Sequence, residues 1–394
     1  MSLEVFREET RRWLLENCPD SMRTPIPEGH LVWGASQVEF TSLDQEQWFN
    51  AMRDKGWFCP DWPAEFGGGG LDAAHQKVLE QELKRLKCRP AQINLGIWML
   101  GPVLLEYGTQ EQKERFLPPM ARGEVRWCQG FSEPNAGSDL ASIKTFAEDK
   151  GDHYEVNGSK IWTSYGDKSD MMYGVFRTDK LVKHAGISLL VLDMKSPGIT
   201  VRPIDLIAGK SNFCEVFFDK VKVPKENLIG KVNEGWALAK KLLQYERISM
   251  SKFGEFTLPN NYSLLPAIKT YMDQRSANID AALPQQAVAA IMDEAAFNHT
   301  AQRMKDEIIA RQHNPGLISI MKLVHTELEK RKFEILLDLL GVDALGQTGK
   351  PFSNAQLGLT TSWLNSFTTT IAGGSSEIQL NLIAKRILQL PDPK

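Results

Sequence analysis

Cysteine is scarce and scattered in this 394-residue sequence. Cys18, Cys59, Cys88, Cys128 and Cys214 are odd in number and never spaced as Cys-x-x-Cys. That spacing excludes a disulfide framework and a cysteine zinc site, leaving reduced, buried thiols as the expectation. The seven histidines are equally dispersed and no two stand at metal-ligand spacing, so no metal is expected. Neither charge dominates: 46 Lys and Arg against 49 Asp and Glu give a net charge of −3, which offers no basic field for nucleic acid. No uninterrupted apolar run reaches the roughly 18 residues of a membrane span. The opening MSLEVFREETRRWLLENCPD has neither the apolar stretch of a secretory signal nor the acid-poor composition of a transit peptide, so a cytoplasmic location is expected. There is no internal repeat, and 42% hydrophobic with 24% charged residues is an ordinary globular balance.

What is present falls into three zones, expected as domains at residues 1–122, 123–225 and 226–394. The first reads as helix. Phe6, Trp13 and Leu14 share one face of an opening helix that Pro19, Pro25 and Pro27 bring to an end. Further helices are expected over Leu43–Lys55, Asp72–Leu86, Ala91–Tyr107 and Gln110–Leu117. The run Pro60–Gly70 (PDWPAEFGGGG) is a loop; its glycines suit a phosphate cradle or a plain turn, and no Gly-Lys-Ser/Thr follows. The second zone changes period to strand, and Asn157-Gly158 between HYEV and SKIW predicts a two-residue hairpin. Strands at this density without helices between them suggest an antiparallel sandwich or barrel. In the third zone Phe333, Leu336, Leu337 and Leu340 form a helical stripe that Gly341 ends. The fold class is therefore α+β and multidomain, helices flanking a β domain.

Four segments carry candidate chemistry. Cys128–Asp139 (CQGFSEPNAGSD) combines small residues and hydroxyls, and Lys160–Ser164 (KIWTS) sets an indole beside hydroxyls. Both suit a flavin or a base, and both also read as turns beside a core tryptophan. Thr368–Gln379 is a small-residue loop opening a helix, able to offer backbone N–H groups to an oxygen anion. Glu246, in the apolar helix around QYERIS, is either a buried acid or half of an ion pair with Arg247.

Taken together and in this order, FSEPNAGSD, GSKIWTS, FCEVFFDKVKVPKENLIG, WPAEFGG, YGTQEQKERFLPPMARGE and GGSSEIQLNLIAKRIL resemble the acyl-CoA dehydrogenase family over almost the whole chain. The resemblance implies an amino-terminal helical domain, a middle antiparallel β domain and a carboxy-terminal four-helix bundle. It implies FAD as cofactor, an acyl-CoA substrate oxidised to the 2,3-enoyl-CoA, electron-transfer flavoprotein as electron acceptor, and a homo- or hetero-oligomer. By position, Phe131 and Ser132 would bond the flavin ring, Trp162 pack on it, and Thr163 and Ser164 lie at its edge near N5. Ser375 and Glu377 would fall near the phosphate or adenosine half. Ser138 would meet the pantetheine arm.

The base calls for comparison within the family. Where many members carry Tyr-Glu-Gly-Thr this chain has Ala372-Gly373-Gly374-Ser375, so the usual carboxylate is absent. A minority, including isovaleryl-CoA and long-chain enzymes, carry it at the position of Glu246. Arg247 would then position and balance charge, and the Gly373 N–H would bond the thioester oxygen. Gly373 would also free volume for a branched or bulky acyl group. After Glu246 the family's Arg-x-x-Phe-Gly is missing, and LLGVDALGQTG replaces Gln-x-x-Gly-Gly-x-Gly. These departures resemble a bacterial branch with steroid- and dicarboxylate-degrading members, some hetero-oligomeric. The competing functions are an acyl-CoA oxidase using O₂ and a catalytically silent subunit that binds FAD or acyl-CoA.

Overall fold

The computed structural model describes residues 1–27, 29–257, 263–274, 282–309, 316–346, 349 and 353–391. The chain divides into two compact units, Met1–Ile204 with Ser211–Leu258, and Asp205–Lys210 with Pro259–Lys394. In the first, α1 (Leu3–Asn17), α2 (Leu43–Asp54), α3 (Ala73–Arg85) and α5 (Gln110–Ala121) each start at a side-chain cap, from Ser2, Ser42, Asp72 and Thr109 respectively. Between α3 and α5, a π-helical turn at Gly96–Leu100 runs into α4 (Gly101–Tyr107). The helix expected from Ala91 thus begins at Gly96. Ile93 instead bridges to Trp33, and the Asn94 side-chain oxygen accepts from the Gly96 N–H at 2.9 Å, using these residues as strand and cap.

Eight strands follow: β1 (Trp127–Gly130), β2 (Phe146–Asp149), β3 (His153–Ser164), β4 (Met171–Arg177), β5 (Ile187–Asp193), β6 (Ile199–Leu206), β7 (Gly209–Pro224) and β8 (Leu228–Ile229). They form one sheet in the order β6-β7-β3-β2-β4-β5-β8, with β1 beside β4. Pairing is antiparallel except for β1 with β4 and a single parallel register between β2 and β4. Strands β4 and β5 are buried on both faces. Tyr173, Val175, Leu189 and Val191 enter a core with the helices, while Met172, Phe176, Leu190 and Leu192 pack within the β layer. Their unbroken apolar runs follow from that double burial, which stabilises by about 1.5–3 kcal/mol per large side chain.

The hairpin expected at Asn157-Gly158 is not there. Strand β3 runs straight through both residues, and the reversal lies at Lys150–Asp152, where the Gly151 N–H donates to Asp149 at 2.8 Å. Asn157 and Gly158 instead form a bulge against β7, with the Asn157 side-chain oxygen accepting from the Lys220 N–H at 2.9 Å. A Cβ at Gly158 would come within 2.8 Å of Thr145, so the glycine answers to close approach, not to a turn.

Helix α6 (Gly235–Thr257) closes the first unit, packing on β4, β5 and the π turn. The second unit contains α7 (Leu264–Gln274), α8 (Ala282–Ile309), α9 (Leu317–Leu340), α10 (Asn354–Thr369) and α11 (Ser376–Leu382). Phe333 and Leu336 of α9 are buried with Leu264 and Ile268 of α7, Ala287 and Ala290 of α8 and Leu359 of α10. Gly341, at φ +63°, ends α9. Among the described residues no helix is long and apolar enough to cross a membrane.

Candidate active site

The end of β1 is placed by two glycines: a Cβ at Gly130 would meet the Met172 sulfur at 2.4 Å, and one at Gly174 would meet the Gly130 carbonyl at 2.9 Å. The chain leaving β1 therefore lies hard against β4. Phe131 is buried, its ring edge-on to Tyr173 at 6.4 Å. Ser132 is half-buried, and its carbonyl accepts from the Ile161 N–H at 2.9 Å. That bond joins the two segments in which the sequence places the flavin contacts.

Beyond Ile161 the β3–β7 register shifts between Lys160 and Thr163. Trp162 sits in this bulge at φ +61°, a left-handed conformation rare for a bulky side chain, and its indole is 50% exposed beside Phe213. Thr163 is buried, and its hydroxyl has no partner among the described residues; Ser164 is half-buried. Tyr165 is left-handed too, its ring 4.3 Å from Trp33, with the Arg126 guanidinium 4.4 Å and 4.6 Å from the two rings. An exposed indole held by strained backbone, with the half-buried Ser164 alongside, suits the face and edge of a planar heteroaromatic ring. Thr163, expected at that edge, is instead wholly buried and offers it no surface, because the residue next to an outward Trp162 points to the other face of the strand.

A buried ion pair lies behind this rim. Lys160, at 0% exposure, donates to Glu133 at 2.8 Å and to the Phe131 carbonyl at 3.1 Å. Glu133 also accepts from the N–H groups of Lys144 (2.6 Å) and Thr145 (3.0 Å). Burial, opposed by Glu133, brings the Lys160 ammonium down to about 8. Burial pushes Glu133 up, but Lys160 and the amides hold it below the usual carboxylate range. Neither residue had been assigned a role from sequence. The signal was there: Tyr154, Val156 and Lys160 share the inward parity of β3, and an inward lysine requires a carboxylate.

Glu246 is half-buried on α6. Leu242, Leu243 and Tyr245 from the same helix pack into the core that holds Phe131, Tyr173 and Met99. The Tyr173 hydroxyl donates to the Met99 sulfur at 3.2 Å; burial, reinforced by the charge of Glu246, pushes that hydroxyl well above its ordinary value. Ser138 is exposed in the loop after Ser132, next to Asp139, which binds Lys183 at 2.9 Å. The side chain of Arg247 lies outside the described residues.

In the second unit, Gly373 (φ +67°) and Gly374 (φ +99°) make the turn before α11. Lys322 donates to the Gly374 carbonyl at 2.7 Å, and Gln379 to the carbonyls of Gly373 (3.2 Å) and Gly374 (3.4 Å). These bonds leave the turn's N–H groups, not its carbonyls, for a ligand. Ser375 caps α11, accepting from the Ile378 N–H, and the Glu377 carboxyl is held low by its own backbone N–H and the Ser375 hydroxyl. The structure thus brings Phe131, Ser132, Trp162, Thr163 and Ser164 together, with Glu246 on the same core, and gathers Gly373, Ser375 and Glu377 in the second unit. Among the described residues no group of three His, Cys, Asp or Glu is placed to hold a metal.

Residues 5–124, 128–221 and 233–388 match, in order, the N-terminal, middle and C-terminal domains of acyl-CoA dehydrogenase. The chain belongs to the acyl-CoA dehydrogenase family, whose members generally oxidise acyl-CoA with FAD. It is 33% identical to the acyl-CoA dehydrogenase IpdE1 of Mycolicibacterium smegmatis, over 99% of this chain and 98% of that one. Among solved structures it is similar to the ChsE4-ChsE5 complex from Mycobacterium tuberculosis (TM-score 0.71, 26% identity, 99% and 98% of the two chains). It is also similar to acyl-CoA dehydrogenase from Geobacillus kaustophilus (TM-score 0.70, 25% identity, 98% and 97%). The exposed Trp162 indole and the half-buried Ser132 and Ser164 are chemically suited to the isoalloxazine of FAD.

Proposed function

We propose that this protein is an FAD-dependent dehydrogenase that converts an acyl-CoA thioester to the trans-2,3-enoyl-CoA. The observation that carries the reading is the 2.9 Å bond from Ile161 to Ser132, which couples the two flavin segments on the core that also packs the Glu246 helix. FAD, when bound, supplies the acceptor for the β-hydride, and electron-transfer flavoprotein then takes the electrons. Ser132 and the Phe131 backbone would hold the ring edge, Trp162 would pack on the ring, and Ser164 would lie near N5. By the family resemblance, Ser375 and Glu377 would serve the phosphate or adenosine half, and Ser138 the pantetheine arm.

Glu246 removes the α-proton. A proton beside a thioester is only weakly acidic, so the charge developing on the thioester oxygen needs a donor, the role that the family resemblance gives to the Gly373 N–H. The acyl chain displaces water from Glu246 and so strengthens the carboxylate as a base. A glycine at 373 favours a branched or bulky acyl group.

The test is the visible spectrum of the purified protein, followed by anaerobic mixing with a panel of acyl-CoA thioesters. A flavin band that bleaches with a branched or ring-bearing substrate is the expected result. Absence of flavin overturns the reading, and peroxide formation in air matching turnover with an artificial acceptor replaces it with an oxidase. A second reading is favoured by the replaced Arg-x-x-Phe-Gly and Gln-x-x-Gly-Gly-x-Gly segments: a subunit that completes its cofactor site with a homologous partner chain. Co-purification with such a chain, and no turnover by this one alone, would establish it.

A further inference from the structure

We propose that Glu133 and Lys160 are the positioning pair of the flavin-facing rim, setting the spacing between Ser132 and the Trp162–Ser164 bulge. The proposal rests on the FAD reading above and goes beyond it. Lys160 has no exposed surface, and its ammonium lies 5.2 Å from the centre of the Phe176 ring. Burying such a pair is costly, and well-packed apolar side chains of similar volume hold a fold as well or better. What apolar side chains cannot do is tie backbone.

This pair binds three separate stretches at once. The ammonium holds the Phe131 carbonyl at 3.1 Å, and the carboxylate holds the N–H groups of Lys144 and Thr145 at 2.6 Å and 3.0 Å. Its placement is the second argument. Glu133 directly follows Ser132, whose carbonyl receives the Ile161 N–H, and Lys160 stands two residues before Trp162, where the register shift starts. The turn that begins at Glu133 closes on itself through paired backbone bonds with Ala136, at 3.1 Å and 3.0 Å. Pro134 and Asn135 at its tip are exposed.

Removing the ammonium leaves a carboxylate and the Phe131 carbonyl short of a partner in apolar surroundings. The simplest relief is for the Phe131–Ala136 turn to move towards water, carrying Ser132 away from the ring edge. As the pair is neutral overall, it acts through position and not by adding charge beside the cofactor.

The test compares Lys160→Met and Glu133→Gln with wild type. FAD affinity is measured on the apoprotein by quenching of flavin fluorescence, the environment of bound flavin by its visible absorption and circular dichroism, and fold stability by thermal melting without FAD. The expected result is a rise in Kd of about 10- to 100-fold, on the scale seen when outer-shell support is removed from metal ligands. The bands of whatever flavin binds should shift towards those of free FAD. Asn227→Ala is the control for a merely structural loss. Asn227 is buried away from the rim, between Arg115 and the Val191 carbonyl, and this change should lower the melting temperature with Kd unaltered.

If Lys160→Met does not fold, Glu133→Met/Lys160→Met removes both charges and should recover folding while keeping the defect in FAD binding, because the backbone ties remain absent. A folded single or double variant that binds FAD as wild type does, with unchanged bands, overturns the proposal and leaves the flavin reading standing. A folded wild-type apoprotein that binds no FAD overturns both.

Discussion

Phe131 and Tyr173 meet edge to face, 6.4 Å between ring centres at 85°, and the Tyr173 hydroxyl turns away to the sulfur of Met99. One end of this aromatic pair is the expected flavin segment. The other lies within electrostatic reach of Glu246. The helix of the proposed base and the proposed flavin contact therefore border one core, and mutation can test each in turn. Glu246→Gln keeps size and hydrogen bonding but removes the proton acceptor. FAD and acyl-CoA should bind as before, while flavin reduction falls by the roughly 10²–10⁴-fold typical of a lost general base, about 3–5 kcal/mol of barrier. Rapid-mixing absorbance reads the rate, and bleaching at the wild-type rate would remove Glu246 from the mechanism.

Gly158 offers a prediction about stability alone. Its φ is +137°, and an added Cβ would lie 2.7 Å from the Thr145 hydroxyl and 2.8 Å from the Thr145 Cα. Gly158→Ala should destabilise the first unit by about 1–3 kcal/mol through overpacking and backbone strain. Urea unfolding measures this directly. An unchanged midpoint would mean that the bulge is free to relax.

This position also shows how far local sequence signals reach. Asn-Gly between apolar runs is a strong hairpin signal, but it describes a pair of strands, and here the competing partner is β7, more than fifty residues on. Asn157 is satisfied by Lys220, which no local pattern reveals. The apolar runs of β4 and β5 and the Phe333–Leu336 stripe were legible because periodicity reports burial directly. Ser132 and Trp162 take their proposed roles from a motif, which says nothing of the left-handed backbone at Trp162. Glu133 sits inside FSEPNAGSD with no local sign of its role, because its partner lies 27 residues away on β3.

Acid should unfold the first unit through two carboxylates. Glu82 is buried and held low by its hydrogen bond to Arg11, then by Arg7, with burial opposing; Glu133 is held low by Lys160 against its burial. In both, the folded state binds the proton less readily than the unfolded chain does. Their contribution is therefore complete above the unfolded glutamate value of about 4.3 and is lost as pH falls through the lower folded values. Urea midpoints should hold steady above about pH 5 and decline below about pH 4. Glu82→Gln should lower the midpoint at neutral pH and flatten that decline. An equally steep acid limb in Glu82→Gln would assign the effect elsewhere.

Gly373 and Gly374 are adjacent, both left-handed, and differ in what surrounds them. A Cβ at Gly373 would meet no other atom of the described residues within 4 Å, whereas one at Gly374 would lie 2.6 Å from the side-chain nitrogen of Gln379. Gly373→Ala should therefore fold, at a cost of about 1–2 kcal/mol for a left-handed alanine. Gly374→Ala should be the more destabilising of the two, because Gln379 must give up its bonds to the turn. In the proposed function the space at Gly373 belongs to the acyl group, so one methyl there should penalise bulky acyl chains far more than slender ones. The ratio of kcat/KM for a ring-bearing over a straight-chain thioester should fall by about 10-fold or more, the scale of one methyl group in a fitted pocket. Melting temperature separates this from general damage, since lost stability lowers both rates together. If the two substrates decline in parallel, Gly373 does not face the acyl chain. If the wild-type protein already prefers short straight chains, the bulky-substrate reading fails before the variant is made.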